Sequence, residues 1–248
     1  MSKTILITGG SRGIGAATAR LAGARGWSVG VNYAGNEKAA LETVKAVEAA
    51  GGKAIALRGD VAEEADVTAM FDRTEQAFGR LDGVFNNAGI VRVGSRIADM
   101  DALISRKLFD VNVYGAFLVA REAARRMSRS RGGNGGSLVN MSSAAARLGG
   151  GGEMVDYAAS KGAIDTLTIG LSKELGPEGV RVNAIRPGLI ETEIHADSGD
   201  PNRLNRLVPG VPAGRAGTAE EVGETVVWLI DDKSSYVNGA IIDVTGGR

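Results

Sequence analysis

Thr4-Ile5-Leu6-Ile7-Thr8-Gly9-Gly10-Ser11-Arg12-Gly13-Ile14-Gly15 is the stretch that decides the fold. Its first five residues are aliphatic or β-branched and lack the polar alternation of a half-exposed strand, so they predict a strand covered on both faces. Glycines at 9, 13 and 15 then allow a sharp turn and a close approach of backbone to a pyrophosphate. The helical pattern Ile14–Arg25 follows, and its positive N-terminal end would face the phosphates. The spacing is G-x-x-x-G-x-G, and the strand before and helix after supply the context that a bare glycine motif lacks. Gly9, Ser11, Arg12, Gly13, Ile14 and Gly15 are therefore candidate contacts to a dinucleotide.

Outward from this turn, short β-rich runs alternate with helical patterns. The expected strands are Thr4–Thr8, Ser28–Asn32, Ala54–Leu57, Gly83–Asn86, Ser137–Met141, Arg181–Ile185 and Ala240–Val244. Between them lie helical patterns at Ile14–Arg25, Glu37–Ala50, Glu63–Phe78, Val113–Arg129, Tyr157–Leu175 and Ala219–Ile230. This is the order of βαβ units around a parallel sheet, an α/β doubly wound Rossmann fold. With no repeat and no linker, residues 1–248 read as a single dinucleotide-binding catalytic domain. Gly149–Gly152 reads as a mobile loop, and the segment 191–217 as an irregular excursion serving as a substrate lid. That segment holds three of the five prolines, Pro201, Pro209 and Pro212.

Composition excludes several function classes. There are 29 Lys+Arg against 29 Asp+Glu, so no global positive field attracts nucleic acid or an anionic membrane. No cysteine is present, which removes disulfides and thiolate metal sites and suits a reducing, cytoplasmic setting. The opening apolar run is too short for a signal-peptide core or a membrane span. The single histidine, His195, excludes a site built on several histidines and reads as a solvated loop residue, and the carboxylates show no metal-ligand spacing.

Cofactor choice turns on the end of the second strand, Val31-Asn32-Tyr33. An acid there would bind the ribose hydroxyl of NAD and repel the 2′-phosphate of NADP, and none occurs before Glu37. Arg12 supplies a cation suited to phosphate. NADP(H) is therefore favoured, with NAD(H) as the other candidate. Further on, Tyr157 and Lys161 stand four apart and share one helical face, after a strand that ends at Ser142-Ser143. Carbonyl reduction needs a proton for the developing alkoxide, and a phenol ordinarily near pKa ~10 is a poor donor or acceptor at neutral pH. A nearby ammonium and an oxidised nicotinamide would favour phenolate, and a serine hydroxyl would hold the substrate oxygen. Asn112 would organise a water that passes protons onward.

Taken together, the Thr8–Gly15 turn, Asp60-Val61, Asn86-Asn87-Ala88-Gly89, Asn112, Ser143, Tyr157-x-x-x-Lys161 and Arg186-Pro187-Gly188 with Thr192 resemble the short-chain dehydrogenase/reductase family over essentially the whole length. The wording around Ala144–Gly149 and Val155–Lys161 is similar to glucose dehydrogenase-like members. The resemblance implies a seven-stranded parallel sheet with helices on both faces, a homotetramer, and interconversion of a carbonyl and a secondary alcohol. It implies Tyr157 as acid/base, Lys161 on the nicotinamide ribose, Ser143 on the substrate oxygen and Asn112 in the proton relay. It places Asp60 on the adenine with Val61 beside it, Asn87, Ala88 and Gly89 along the ribose, and Pro187, Gly188, Ile190 and Thr192 at the nicotinamide end, with Asn32 at the end of the second strand a further candidate cofactor contact. The Ser143–Tyr157 spacing looks one residue longer than in many members, which makes Ser142 a competing assignment. Ala34 stands where NADP-preferring relatives often carry a basic residue. Two other readings compete. A beta-ketoacyl-acyl-carrier-protein reductase would use the basic run Arg121, Arg125, Arg126, Arg129 and Arg131 as a docking patch, although a solvated helix face is the simpler account. A non-catalytic NAD(P)-binding redox sensor would have no need of the Ser143–Tyr157–Lys161 set.

Overall fold

The protein is described from a computed structural model, covering residues 2–92, 96–192 and 202–248. Strands β1 (Thr4–Ile7), β2 (Ser28–Tyr33), β3 (Lys53–Arg58), β4 (Gly83–Asn86), β5 (Gly136–Met141), β6 (Val180–Pro187) and β7 (Ile241–Val244) form one sheet in the order 3-2-1-4-5-6-7. Every pairing is parallel. The order reverses between β1 and β4, which opens a crevice at the strands' carboxyl ends where such sheets bind ligands.

Successive β1 residues serve opposite faces, which is why the run is apolar throughout. Ile5 and Ile7 pack with α1 (Gly13–Gly23), α2 (Glu37–Ala49) and the late helix Ala219–Ile230, while Leu6 packs with α3 (Glu64–Phe78) and residues of Ala116–Met127 and Val155–Leu175. The remaining helices in chain order are α4 (Ala102–Phe109), α5 (Ala116–Met127), α6 (Ala145–Leu148), α7 (Val155–Leu175), α8 (Arg203–Leu207) and α9 (Ala219–Ile230).

The expected strands are all present, with ends shifted by one or two residues. The expected helix Val113–Arg129 is different. Its first turn is a wide π-helical turn, Asp110–Gly115, that continues from α4 into α5. Two contacts accompany the widening. The Asn86 side-chain amide donates to the Ala116 carbonyl at 2.9 Å, and Gly115 lies against Val61, where an added Cβ would stand 2.9 Å from its methyl. The Asp101 carboxylate caps α4, accepting from the Leu103 and Ile104 amides at 2.9 and 3.1 Å.

The excursion after β6 is stitched at its base. Ile190 and Gly217 form an isolated bridge, and the Glu191 amide donates to the Gly217 carbonyl at 2.9 Å. Leu189, Val211 and Ala216 make a small separate core there, joined by Leu204, Leu207 and Val208. His195 lies outside the described residues.

Candidate active site

A cavity of about 990 Å³ opens at the carboxyl ends of β1, β2, β4, β5 and β6. All the expected cofactor contacts line it, from Gly9 in the first turn to Thr192 after β6, together with Ser143, Tyr157 and Lys161. Asn112 is the exception. It lies just beneath the lining, 1% exposed.

The glycine turn is held by side chains in β2 and just past the ends of β1 and β4. Gly9 and Gly13 adopt φ of 61° and 53°, a left-handed backbone that glycine tolerates without strain. At Gly15 an added Cβ would come within 2.4 Å of the Gly9 carbonyl oxygen, so the helix can start this close to the strand only without a side chain. Asn32, 2% exposed, accepts from the Gly9 amide at 3.0 Å and donates to the Leu57 and Gly59 carbonyls at 3.2 and 2.9 Å. It lines the cavity, but its amide is committed to backbone. Thr8 does the matching work on the other side. Its hydroxyl accepts from the Asn87 and Ala88 amides at 2.9 and 3.0 Å, while the Asn87 side chain donates to the Thr8 and Gly9 carbonyls. These residues fit a dinucleotide: a side-chain-free cradle, a helix N-terminus and fixed backbone.

Around the expected acid/base, Lys161 is 3% exposed and its ammonium donates to the Met141 carbonyl at 2.8 Å, 5.7 Å from the centre of the Tyr157 ring. Burial pulls the Lys161 pKa down to about 8, against the attraction of Asp165. Burial pushes the Tyr157 phenol up, opposed by a hydrogen bond with the Ser143 hydroxyl and by the charge of Arg203. The two serines separate cleanly. Both line the cavity, but Ser142 is 1% exposed and its hydroxyl donates to the Lys161 carbonyl at 3.3 Å, whereas Ser143 is half-buried and hydrogen-bonds with Tyr157. Asn112 pairs with Ile90 like a short strand, its side chain accepting from the Ile90 amide and donating to the Ile90 carbonyl, both at 2.8 Å. Gly89 packs closely beside it, where an added Cβ would stand 3.2 Å from the Asn112 oxygen.

A polypeptide with this sheet order, glycine cradle and Tyr157 beside a buried Lys161 matches known proteins over nearly its full length. The family model described as enoyl-(acyl carrier protein) reductase covers residues 9–248. An uncharacterized oxidoreductase, YgfF, of Escherichia coli K12 is 49% identical, with 98% of each chain covered. The chain belongs to the short-chain dehydrogenase/reductase family. Glucose 1-dehydrogenase 2 of Bacillus subtilis is 35% identical over 99% of this chain and 94% of its own, and 3-oxoacyl-[acyl-carrier-protein] reductase FabG of Staphylococcus aureus is 33% identical over 100% and 98%. Among solved structures, levodione reductase superposes with a TM-score of 0.92 at 32% identity, covering 99% of this chain and 96% of that one. A short-chain dehydrogenase from Burkholderia cenocepacia in complex with NADP gives 0.90 at 32%, covering 99% and 97%. Members of the family bind NAD(P), and this one is an oxidoreductase acting on CH–OH and C=O groups.

For a short-chain dehydrogenase/reductase, the end of the cavity away from the glycine turn is where sequence reading runs short. Arg203 on α8, Glu153 and Met154 line it, and none carries a motif. Glu153 joins the excursion to the loop before α7, accepting from Arg206 at 2.9 Å with Arg203 at 3.5 Å. Gly149–Gly152, expected as a mobile loop, contributes a turn closed by the Met154 amide on the Gly150 carbonyl at 2.8 Å. The basic run on α5 is interleaved with acids. Arg121 meets Glu64 at 2.6 Å, Arg125 meets Glu122 at 2.8 Å and Arg126 meets Asp72 at 2.7 Å. Those three arginines of the run are each paired with an acid. Among the described residues no cluster of His, Asp or Glu could hold a metal, and no helix is long and apolar enough to cross a membrane.

Proposed function

We propose that this enzyme interconverts a carbonyl and a secondary alcohol with NADP(H) as the favoured cofactor over NAD(H), and with Tyr157 as the acid/base. The observation that carries this reading is one cavity lined both by the glycine cradle and by Tyr157, Ser143 and Lys161. When bound, the nicotinamide supplies or accepts the hydride. Tyr157 gives its phenolic proton to the developing alkoxide in reduction and recovers it in oxidation. Burial keeps the phenol protonated, which suits it to act as the acid, while the Ser143 hydrogen bond and the charge of Arg203 favour phenolate when it must act as the base, and a charged Lys161, 5.7 Å from the ring centre, would add to them. Ser143 holds the substrate oxygen. Asn112, by fixing Ile90 and the wall beside Lys161, would support the path by which protons leave.

NADP(H) is supported by the lining at the end of β2, which is Tyr33, Ala34, Gly35 and Asn36 with Arg12 across from them. The nearest acid in sequence, Glu37, accepts from the Tyr33 hydroxyl at 3.0 Å. The stitched excursion, in this reading, is the substrate lid. Its Leu207 joins Leu148, Met154 and Leu189 as apolar lining beside Glu153 and Arg203, which suits a small sugar, alcohol or ketone. The assembly is a homotetramer in a cytoplasmic setting. Tyr114 on the turn before α5, Phe117 on α5 and Ile169 on α7, exposed by 53%, 47% and 43%, offer apolar surface for a subunit contact.

Turnover of NADPH and NADH over a panel of ketones, diketones, quinones, sugars and beta-ketoacyl esters tests the reading. Reduction or oxidation at carbonyl or secondary alcohol carbons, with the higher kcat/KM for the phosphorylated cofactor, is expected. Cofactor binding without turnover in either direction would overturn catalysis and leave a redox-sensing nucleotide module.

A further inference from the structure

Behind Lys161, one helical turn along the same face of α7, stands Asp165, a carboxylate 8% exposed and away from the cavity lining. Its partner is Arg186 from the Arg186-Pro187-Gly188 stretch of β6. Both guanidinium contacts, Nε at 3.1 Å and Nη2 at 2.7 Å, fall on the same oxygen, Oδ2. Oδ1 is buried with no hydrogen-bond partner. A bidentate fork would have engaged both oxygens, so this geometry leaves Oδ1 without a local hydrogen-bond partner. Arg186 is itself shared. Its Nη1 lies 3.8 Å from Asp243 on β7, and Arg147 lies 3.8 Å from the other oxygen of Asp243.

We propose that Asp165 is a positioning residue for Lys161, holding its ammonium charged and seated on the Met141 carbonyl, while Arg186 sets how much of the carboxylate's charge reaches it. This rests on the reading of Lys161 as part of the active site. Lys161 is met by the Tyr157 ring from its own helix, by the neutral Asn112 amide and Gly89 across the cavity wall, and by the Met141 carbonyl from β5. Asp165 is the carboxylate that attracts it. Desolvation alone would drive a lysine this deep toward the neutral amine, which neither favours phenolate nor binds ribose hydroxyls as a cation. The opposing attraction of Asp165 is the counterweight.

The test is a titration of Lys161 itself, in protein carrying carbon-13-labelled lysine, with its resonance assigned by loss in Lys161→Met. In the wild type the midpoint is expected near 8, well below the surface lysines. Asp165→Asn keeps the shape and removes the charge, and it lowers the midpoint by about one unit. Asp165→Glu restores most of the shift. The alkaline limb of the kcat profile moves down by the same amount in Asp165→Asn and back in Asp165→Glu. An unchanged Lys161 midpoint in Asp165→Asn, or a loss of kcat uniform across pH that Glu does not restore, overturns the proposal. Should Asp165→Asn unfold, the double variant Asp165→Asn/Arg186→Met removes both buried charges, and a smaller downward shift is expected. The titration needs no turnover. An inactive wild type would defeat the proposed function, whereas a Lys161 midpoint insensitive to Asp165 in an active enzyme would defeat this inference alone.

Discussion

The two halves of the cavity are built by different means. The cofactor half is fixed by backbone: Gly9, Gly13 and Gly15 set the turn, and the buried Asn32 and Thr8 side chains bind main-chain groups on either side of it. The half proposed to take the substrate is joined by side chains. Glu153, partly exposed, links to Arg203 and Arg206 on a short helix, and a small satellite core lies under it. Buried hydrogen bonds to backbone are costly to break, and partly exposed ion pairs contribute little.

The sharpest way to break the comparison lies at the seam. Lys161→Met is expected to lower kcat by about 10²-fold or more, an effect of the size usual for acid–base machinery, and yet to raise stability at neutral pH. The sign follows from its depressed pKa, from 10.5 to about 8 in the fold. Below the folded value both states hold the proton and the cost of the buried charge is fully present. Between the two values the unfolded chain keeps a proton that the fold has released, so wild-type stability rises with pH, and above both the cost is gone. Thermal unfolding should show the variant more stable by about 2–3 kcal/mol at pH ~7, with the gain fading toward pH ~10. A variant less stable at neutral pH would contradict the assigned cost.

Within the cofactor half, Asn32→Ala removes an acceptor for Gly9 and donors to Leu57 and Gly59 at once. Denaturant unfolding should register a loss of about 2–4 kcal/mol, with weakened cofactor binding by calorimetry. Glu153→Gln in the substrate half should cost less than about 1 kcal/mol and change KM by a few-fold at near-constant kcat. Equal stability losses in the two variants would erase the difference between the halves.

The same contrast governs what could be read in the sequence. The strand, turn and first helix were legible because a tight turn against a pyrophosphate demands glycine at fixed offsets, and those residues line the cavity as expected. Asn32 was legible as a site residue, but its orientation toward backbone depends on where β3 ends, which periodicity does not locate. The π-helical turn at Asp110–Gly115 passed for an ordinary helix because its widening goes with a side chain, Asn86, on another element. Helix α4 carried an N-cap signal at Asp101 that hydrophobic periodicity alone did not bring out. Arg203 and Glu153 left no local trace. Their meeting joins segments some fifty residues apart, as the Glu153–Arg206 separation of 53 positions shows, and only the folded excursion brings them to the cavity.

The central claim is hydride exchange at a carbonyl carbon with Tyr157 moving the proton. Its most direct test sets Tyr157→Phe beside the wild type, with cofactor affinity and turnover measured on the same preparations. The account predicts cofactor binding within a few-fold of wild type and kcat lower by about 10²–10⁴-fold, since only the hydroxyl is removed. A phenylalanine variant that turns over as fast as the wild type would contradict it.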